Sequence, residues 1–459
     1  MPHAGSRYRP RVAHQTPLYE LALDHAERFE HVYDERYASQ YGPWRPRVGK
    51  TLMQYLDCGV PSNGMLRVAC TTDGCRYSFF VPFSCKRAIC PSCAQRRSLE
   101  FSEFVNAAVL EPVAYRHVVF TIPKMLRSAF LRDGKMLREL GRCAWKVLRH
   151  GLATAAGDAM AVPGALLSRA TAGDLMNPHP HLHAIVSCGA WSDGGRGESF
   201  LPWPPHLTGG RLEALFQREV LRMMVKRERL APETAQRLMG WNPTGFSVWV
   251  GDPIEPEQTL SRLRLARYIT KGPVALERME YDNQNCLVHY RSFAQGRSRT
   301  ATALDFLADL SVHVPDRGQH GVSYFGRHSS RSRGERRKAQ LAPTDSSLTT
   351  RMQPPPPPSR KAFRIVWARL LQKVWRVDVL RCPRCGGRAR VTAAVVNPRD
   401  LTRILDHLGV HPPRPPNRHD CPPAPGAQGL LPLTPAERQE PRDPRLDDDW
   451  PTDPPFQDE

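Results

Sequence analysis

Apolar and polar positions alternate or cluster along the chain in ways that predict several β-strands. Residues 115–122 form a mostly apolar, β-branched run bounded by Pro123, which predicts a buried central strand. In residues 179–186 the side chains alternate between the two faces of a predicted strand. Further strands are predicted at residues 77–81, 245–250 and 286–290.

Helical periodicity fills most of the intervals between these strands. Thr16-Pro17 is typical of an N-cap followed by proline in the first turn, and apolar residues recur at helical spacing as far as Tyr33. Further helices are predicted in residues 125–150, 211–238, 257–271 and 367–377. The helix in 257–271 should end near Lys271, because Gly272-Pro273 cannot continue it.

Length and charge narrow the class of protein. A chain of 459 residues is expected to hold two or three domains, and a net charge of +20 makes nucleic acid the first partner to consider. The sequence lacks an apolar run long enough to span a membrane, and no apolar stretch follows its basic N-terminus. We therefore expect no membrane partner, no secretory signal and a cytoplasmic location.

Composition divides the chain into six predicted segments. They are a basic arm with an N-terminal helix (1–57), a zinc-binding domain (58–100), a core (101–345), a Pro-rich linker (346–362), a C-x-x-C module (363–411) and a disordered Pro-rich acidic tail (412–459).

The cysteines are bunched, which in a chain without a secretory signal is typical of metal binding rather than of disulfides. We favour one tetrahedral zinc site made of Cys70, Cys75, Cys90 and Cys93. Cys58 and Cys85 either complete a second or alternative site or are small buried residues. The flanking basic residues are candidates for DNA contact: Lys86, Arg87, Arg96 and Arg97.

A second cysteine motif lies near the C-terminus. Cys382-Pro-Arg-Cys385 supplies half of a metal site, and a tight turn without metal is the alternative. The candidates to complete it are His407, His411, His419 and Cys421.

Three histidines follow one another at every second position, in His179-Pro-His-Leu-His183. On a strand, His181 and His183 share a face about 6.6 Å apart along the chain, so two imidazoles can converge on one divalent ion. His179 is the candidate third ligand if Pro180 leaves the strand unbroken. Solvated histidines at a strand end are the alternative.

Tyr268 and Lys271 supply a possible partner for the histidines. Their i,i+3 spacing puts the phenol and the ammonium on one helix face, and Arg264 and Arg267 of the same helix are candidates for DNA contact. A phenol needs nearby cations or a metal to act as a nucleophile on a phosphate. With the histidines, this pair predicts cleavage of a phosphodiester through a phosphotyrosine, and a helix-surface tyrosine beside a solvated lysine is the alternative.

Several segments resemble a known family. They are Phe83-Ser-Cys-Lys86 with Cys90-Pro-Ser-Cys93, Asn177-Pro-His-Pro-His-Leu-His-Ala184, Ala266-Arg-Tyr-Ile-Thr-Lys271, Leu304-Asp-Phe-Leu307 and Val379-Leu-Arg-Cys-Pro-Arg-Cys-Gly386. Through them the chain resembles, over roughly residues 14–411, the rolling-circle transposases of the insertion-sequence ninety-one family, which are HUH (His-hydrophobic-His) single-strand endonucleases.

The resemblance implies a fold, a reaction and cofactors. The expected fold is α+β, with an antiparallel sheet carrying the histidines, a zinc-binding module before it and a small helix and C-x-x-C module after it. His181 and His183 would bind magnesium or manganese, Tyr268 would form a 5′-phosphotyrosine, and the cysteines would hold a structural zinc. The expected partners are single-stranded element ends and target DNA, and the chain is a candidate homo-oligomer. The resemblance also implies a bacterial host and association with the nucleoid.

Arg264 departs from the pattern of some relatives, which carry a second tyrosine at that position. We therefore expect the single-tyrosine branch of the family. Two other functions are consistent with parts of the sequence: a metal-dependent small-molecule hydrolase built on the same histidines, and a non-catalytic zinc protein that binds DNA.

Overall fold

The computed structural model of the chain describes residues 16–195, 199–293, 296–341 and 381–410. The helices are α1 (Pro17–Arg36), α2 (Ala38–Tyr41), α3 (Pro46–Leu56), α4 (Pro91–Ala108), α5 (Arg127–Arg132), α6 (Gly134–Ala155), α7 (Ser192–Gly195), α8 (Gly209–Lys226), α9 (Pro232–Met239), α10 (Thr259–Tyr268), α11 (Ala303–Val312), α12 (Ser330–Leu341) and α13 (Pro398–Leu408). The strands are β1 (Met65–Cys70), β2 (Ser78–Pro82), β3 (Tyr115–Thr121), β4 (Gly164–Ala172), β5 (Pro178–Ser187), β6 (Gly189–Trp191), β7 (Phe200–Pro202), β8 (Ser247–Ile254), β9 (Met279–Asp282), β10 (Leu287–Arg291), β11 (Ser298–Thr302), β12 (Val322–Gly326) and β13 (Ala389–Val395).

A five-stranded sheet forms the centre, in the order β12-β4-β5-β3-β8, and all of its neighbouring strands are antiparallel. One face packs against α6 and α8 through Val118, Phe120 and Leu182. The opposite face packs against α4 and α10 through Tyr115 and Ile185. The expected α+β fold with an antiparallel sheet is confirmed, and alternation along β5 directs its odd-numbered residues toward α10.

The N-terminal helices form a second core with a later part of the chain. The predicted N-cap is confirmed, since the Thr16 hydroxyl accepts a hydrogen bond from the Tyr19 amide at 3.3 Å. α1 and α3 then pack against the β9–β11 sheet and α11. The Tyr37 hydroxyl donates to Asp305 Oδ1 at 2.8 Å, which joins the C-terminal end of α1 to α11.

A third sheet combines distant parts of the chain, with β13 pairing antiparallel to β1 and β1 pairing antiparallel to β2. Residues 381–410 are therefore attached to the cysteine-rich region by main-chain hydrogen bonds. The predicted linker and helix 367–377 lie outside the described residues, as do the basic arm, the tail, His411, His419 and Cys421.

Three predicted helices differ from the structure for local reasons. The interval 125–150 holds α5 and most of α6, because Asp133 between them is extended and its side chain caps α6 by accepting from the Lys135 amide at 2.8 Å. The interval 211–238 holds two helices, because Pro232 begins α9 and the residue before a proline disfavours helical geometry. α10 ends at Tyr268, before Lys271, and the Thr270 hydroxyl donates to the Ala266 carbonyl at 3.0 Å. Among the described residues, no helix is both long and apolar enough to cross a bilayer.

Candidate functional site

His181 and His183 lie on the same face of β5, as their spacing predicts, with their Nε2 atoms 3.0 Å apart. Pro180 does not interrupt the strand, because it coincides with an irregularity in the β4–β5 pairing between Ala170 and Ala172. Two ring nitrogens therefore point at one another from neighbouring positions on a continuous strand.

The main chain fixes the tautomer of His181. Its Nδ1 lies 2.7 Å from the carbonyl oxygen of His179. A carbonyl can only accept, so Nδ1 carries the proton, and Nε2 of the neutral ring keeps a lone pair directed toward His183.

His179 contributes differently from the expected third ligand. Its ring packs against that of His181, with 5.0 Å between the ring centroids. Within the described ranges, these histidines do not form a group of three or more His, Cys, Asp or Glu ligand atoms that all lie within 4.8 Å of one another. The predicted pair is brought together, whereas the predicted triad is not.

The sequence analysis missed His117, which lies on the neighbouring strand. The β3–β5 register pairs Val119 with His183, and the His117 side chain reaches the same histidine. His117 Nε2 lies 3.1 Å from His183 Nδ1, and the two rings stack at 5.2 Å. A single histidine inside an apolar strand run was the available signal.

All three rings of this cluster are uncharged at neutral pH. Burial, followed by the nearby His181, lowers the pKa of His117 from 6.5 to about 3. Burial also lowers the pKa of His181 to about 4, and Lys271 and Arg127 act in the same direction. The pKa of His183 is shifted well below its ordinary value by burial and by the surrounding His181 and His117. Neutral imidazoles are the form that ligates metals.

Tyr268, the last residue of α10, lies against these histidines. Its ring centroid is 5.1 Å from that of His183 and 5.7 Å from that of His117. The apolar residues of α10 set its rotation about the helix axis. Leu265 and Ala266 pack on the central sheet, which brings Tyr268 toward β5.

Lys271 lies in the turn after α10 and contacts the tyrosine. Its Nζ is 4.4 Å from the centroid of the Tyr268 ring and 5.5 Å from that of Phe293. The predicted neighbourhood of phenol and ammonium is present, although the helix ends before the lysine.

A buried arginine that the sequence analysis did not assign to the site anchors α10. Arg262 lies over the ring of Tyr115 at 5.3 Å and donates to the Pro256 carbonyl at 3.2 Å. It also donates to the carbonyl of Glu111 at 3.3 Å. These bonds tie the helix that carries Tyr268 to the N-terminal end of β3.

A cleft of about 2700 Å³ runs over the histidines and Tyr268. Four of the predicted cations line it: Arg97, Arg264, Arg267 and Lys271. Lys86, Arg87 and Arg96 are not among its lining residues, and Arg96 instead pairs with Glu100 at 3.0 Å. Arg169 and Arg278 also line the cleft and were not predicted, because no motif marks them.

The cysteines form two quartets rather than the single predicted set. Cys90 and Cys93 join Cys58 and Cys85, whereas Cys70 and Cys75 join Cys382 and Cys385. The physical reason is the pairing of β13 with β1, which brings the C-terminal pair beside Cys70. In the first quartet, Cys93 Sγ lies 3.7 Å from both Cys58 Sγ and Cys85 Sγ. His407 lies outside both quartets.

Two family models match the chain. The family model described as "Transposase zinc-binding domain" matches residues 28–122, which include the whole first quartet. The model described as "Putative transposase" matches residues 164–336, which include the histidines, Tyr268 and Lys271.

Two curated relatives cover most of the chain, and no solved structure matches it significantly. The transposase for insertion sequence element IS801 of Pseudomonas savastanoi pv. phaseolicola is 24% identical over 75% of this chain and 83% of its own length. The putative transposase y4qJ of Sinorhizobium fredii is 24% identical over 66% of this chain and 80% of its own length. With a transposase zinc-binding domain followed by a transposase region, the chain belongs to the IS91 family of transposases.

Proposed function

We propose that this transposase nicks and rejoins single-stranded DNA at the ends of its element through a 5′-phosphotyrosine on Tyr268. The observation that carries the proposal is the contact between the Tyr268 ring and His183, whose Nε2 lies 3.0 Å from that of His181. A nucleophile and a pair of neutral metal-binding nitrogens thus lie in one cleft.

The two histidines fit a divalent cation such as magnesium or manganese. Two ligands at right angles on an ion with bonds of about 2.1 Å lie about 3.0 Å apart, which matches the separation of the two Nε2 atoms. When bound, such an ion would polarise the scissile phosphate and offset its developing negative charge. His117 would orient His183 by accepting its Nδ1 proton, the usual role of an outer partner of a metal-bound histidine.

In the proposed reaction, the Tyr268 phenol loses its proton to solvent and Oη attacks the phosphorus. The bond between phosphorus and the 3′ oxygen breaks, and the leaving oxygen takes a proton from solvent to become a free 3′-hydroxyl. Lys271 supports this step as a cation beside the phenol ring, at 4.4 Å from its centroid. Rejoining reverses the step with a different 3′-hydroxyl.

The proposed substrate follows from the cleft and its charge. Arg97, Arg264 and Arg267 lie along the same cleft as the tyrosine, and the chain has a net charge of +20. Cations along a groove bind the phosphate backbone of a single strand. The antiparallel sheet with a histidine strand at its middle and a tyrosine helix on one face supports an HUH-type core.

The competing hydrolase would need a further His or Asp ligand beside the histidines, and the described part of the chain supplies none in a common group with them. Nicking of supercoiled plasmid with magnesium separates the two activities. A hydrolase of small molecules would leave the plasmid intact.

The decisive experiment incubates labelled single strands from the element's own ends with the protein and magnesium. Denaturing electrophoresis should show a covalent adduct, and peptide mapping should locate it at Tyr268. Tyr268→Phe keeps the ring and its packing but removes the attacking oxygen, so the adduct should vanish while DNA binding persists. Lys271→Ala should only slow its formation.

Tyr281→Phe is the matched control, because this hydroxyl bonds to His25 at 2.8 Å in the other core and should not affect the adduct. An adduct that survives in Tyr268→Phe, or that maps to another tyrosine, would overturn the proposal.

A further inference from the structure

We propose that Cys70, Cys75, Cys382 and Cys385 bind a second zinc ion, which clamps residues 381–410 onto the zinc-binding domain. These four sulfur atoms lie within 4.8 Å of one another, although the two pairs come from opposite ends of the chain. The sequence separations are 315 residues for Cys70 and Cys385 and 307 for Cys75 and Cys382.

The spacing of the sulfur atoms fits tetrahedral zinc. Cys70 Sγ lies 3.5 Å from Cys385 Sγ, and Cys75 Sγ lies 3.8 Å from Cys382 Sγ. With Zn–S bonds of about 2.3 Å, the edge of the tetrahedron is about 3.8 Å. The first quartet, which lies wholly within the matched zinc-binding domain, has sulfur separations of 3.6 and 3.7 Å. Both quartets thus have the dimensions of the same ion.

Main-chain amides point at the sulfur atoms in both quartets. The Thr72 amide donates to Cys70 Sγ and the Gly387 amide donates to Cys385 Sγ, each at 3.4 Å. In the first quartet the Arg87 amide donates to Cys85 Sγ, also at 3.4 Å and also from two residues further along. Hydrogen bonds of this kind favour the thiolate, the form that binds zinc.

Glycines allow the loop that carries Cys382 and Cys385 to approach the loop that carries Cys70 and Cys75. Gly386 has a φ of +71°, a conformation that residues with side chains rarely adopt. At Gly387 an added Cβ would lie 1.9 Å from Thr72 Oγ1, so this position tolerates no side chain unless the loop between Cys70 and Cys75 moves. The Gly-Gly after Cys385 is therefore better explained by packing of the two loops against each other than by a free turn.

Residues 381–410 bury few apolar side chains, so the hydrophobic effect stabilises their position only weakly. Between residues 381 and 410 the buried side chains are Cys382, Ala389 and Leu401, and β13 exposes most of its residues. A segment with so small a core commonly depends on a metal for its folded state. Pairing of β13 with β1 and the proposed zinc together supply what a hydrophobic core does not.

The first test measures zinc in the purified full-length protein by elemental analysis. We expect two zinc ions per chain in the unmodified protein and one in Cys382→Ser/Cys385→Ser. Cys188→Ser, which alters a cysteine outside both quartets, is the matched control and should keep two. One zinc in the unmodified protein, or two or none in the double variant, would overturn the proposal.

The second test asks whether the ion acts as a clamp. In Cys382→Ser/Cys385→Ser, amide hydrogen exchange should rise by an order of magnitude or more in β13, because the pairing with β1 loosens. Exchange in β3 and β5 should not change, which also shows that the variant is folded. Unchanged protection of β13 in a variant that has lost one zinc would contradict the clamp.

Discussion

His117 Nε2 lies 3.1 Å from Nδ1 of His183, so a histidine of β3 forms a hydrogen bond with a proposed metal ligand of β5. The bond joins side chains on neighbouring strands of the central sheet. When His183 donates from Nδ1, its Nε2 is left with a lone pair that points toward His181. The proposed ligand pair is thus oriented from both sides, by the His179 carbonyl and by His117.

Replacing His117 should weaken metal binding without abolishing it. His117→Phe keeps a ring of similar size in a buried position but removes the nitrogen that accepts from His183. We expect the magnesium or manganese concentration for half-maximal cleavage to rise about 10- to 100-fold, as for other outer partners of metal-bound histidines. Metal titration of oligonucleotide cleavage checks this, and an unchanged half-maximal concentration would contradict the orienting role.

Loss of either proposed ligand should remove cleavage. His181→Ala and His183→Ala delete one of two nitrogens that lie 3.0 Å apart, and with it the site that would stabilise charge at the phosphate. Binding of single-stranded DNA should persist, since it depends on the arginines along the cleft. Cleavage and mobility-shift assays on the same oligonucleotide measure the two effects. Full nicking by the double variant His181→Ala/His183→Ala in magnesium would refute the assignment.

Replacing Cys90 and Cys93 with serine should unfold the N-terminal region. Both thiols are buried in the core that also contains α1 and α3, so loss of the first quartet's zinc removes folding free energy there. Binding of element ends should weaken as a consequence. Zinc content, thermal unfolding and DNA binding test this in one preparation. Unmodified protein without stoichiometric zinc would contradict the prediction.

His328 should make stability depend on pH. Burial, followed by the neighbouring Arg336 and Arg333 cations, lowers the pKa of His328 to about 3. The unfolded chain binds this proton at a pKa of about 6.5. As the pH falls from about 6.5 toward 3, the unfolded state takes up a proton that the native state does not, and stability decreases by up to about 1.4 kcal/mol per pH unit.

His328→Gln removes this titration and keeps a group that can bond to the Tyr115 hydroxyl, which lies 2.9 Å from His328 Nε2. Urea unfolding at several pH values should then show a shallower acid dependence, by nearly one proton. Equal slopes for the two proteins would show that another group dominates.

The sequence by itself determined the local elements of this protein. The strand at 115–122 is predictable because a mostly apolar run with β-branched residues continues to Pro123, and the helix after Thr16 because an N-cap and a proline precede its periodic residues. The shared face of His181 and His183 follows from the two-residue period of a strand. Each of these depends on neighbours within a few positions.

Tertiary structure decided which distant residues meet. His117 was hidden in an apolar run, because only the β3–β5 register reveals that its side chain reaches His183. The spacing of the cysteines favoured pairing Cys70 and Cys75 with Cys90 and Cys93, but the pairing of β13 with β1 brings Cys382 and Cys385 closer. Thiols bind an ion according to distance in space, and strand pairing, which local patterns do not encode, sets that distance.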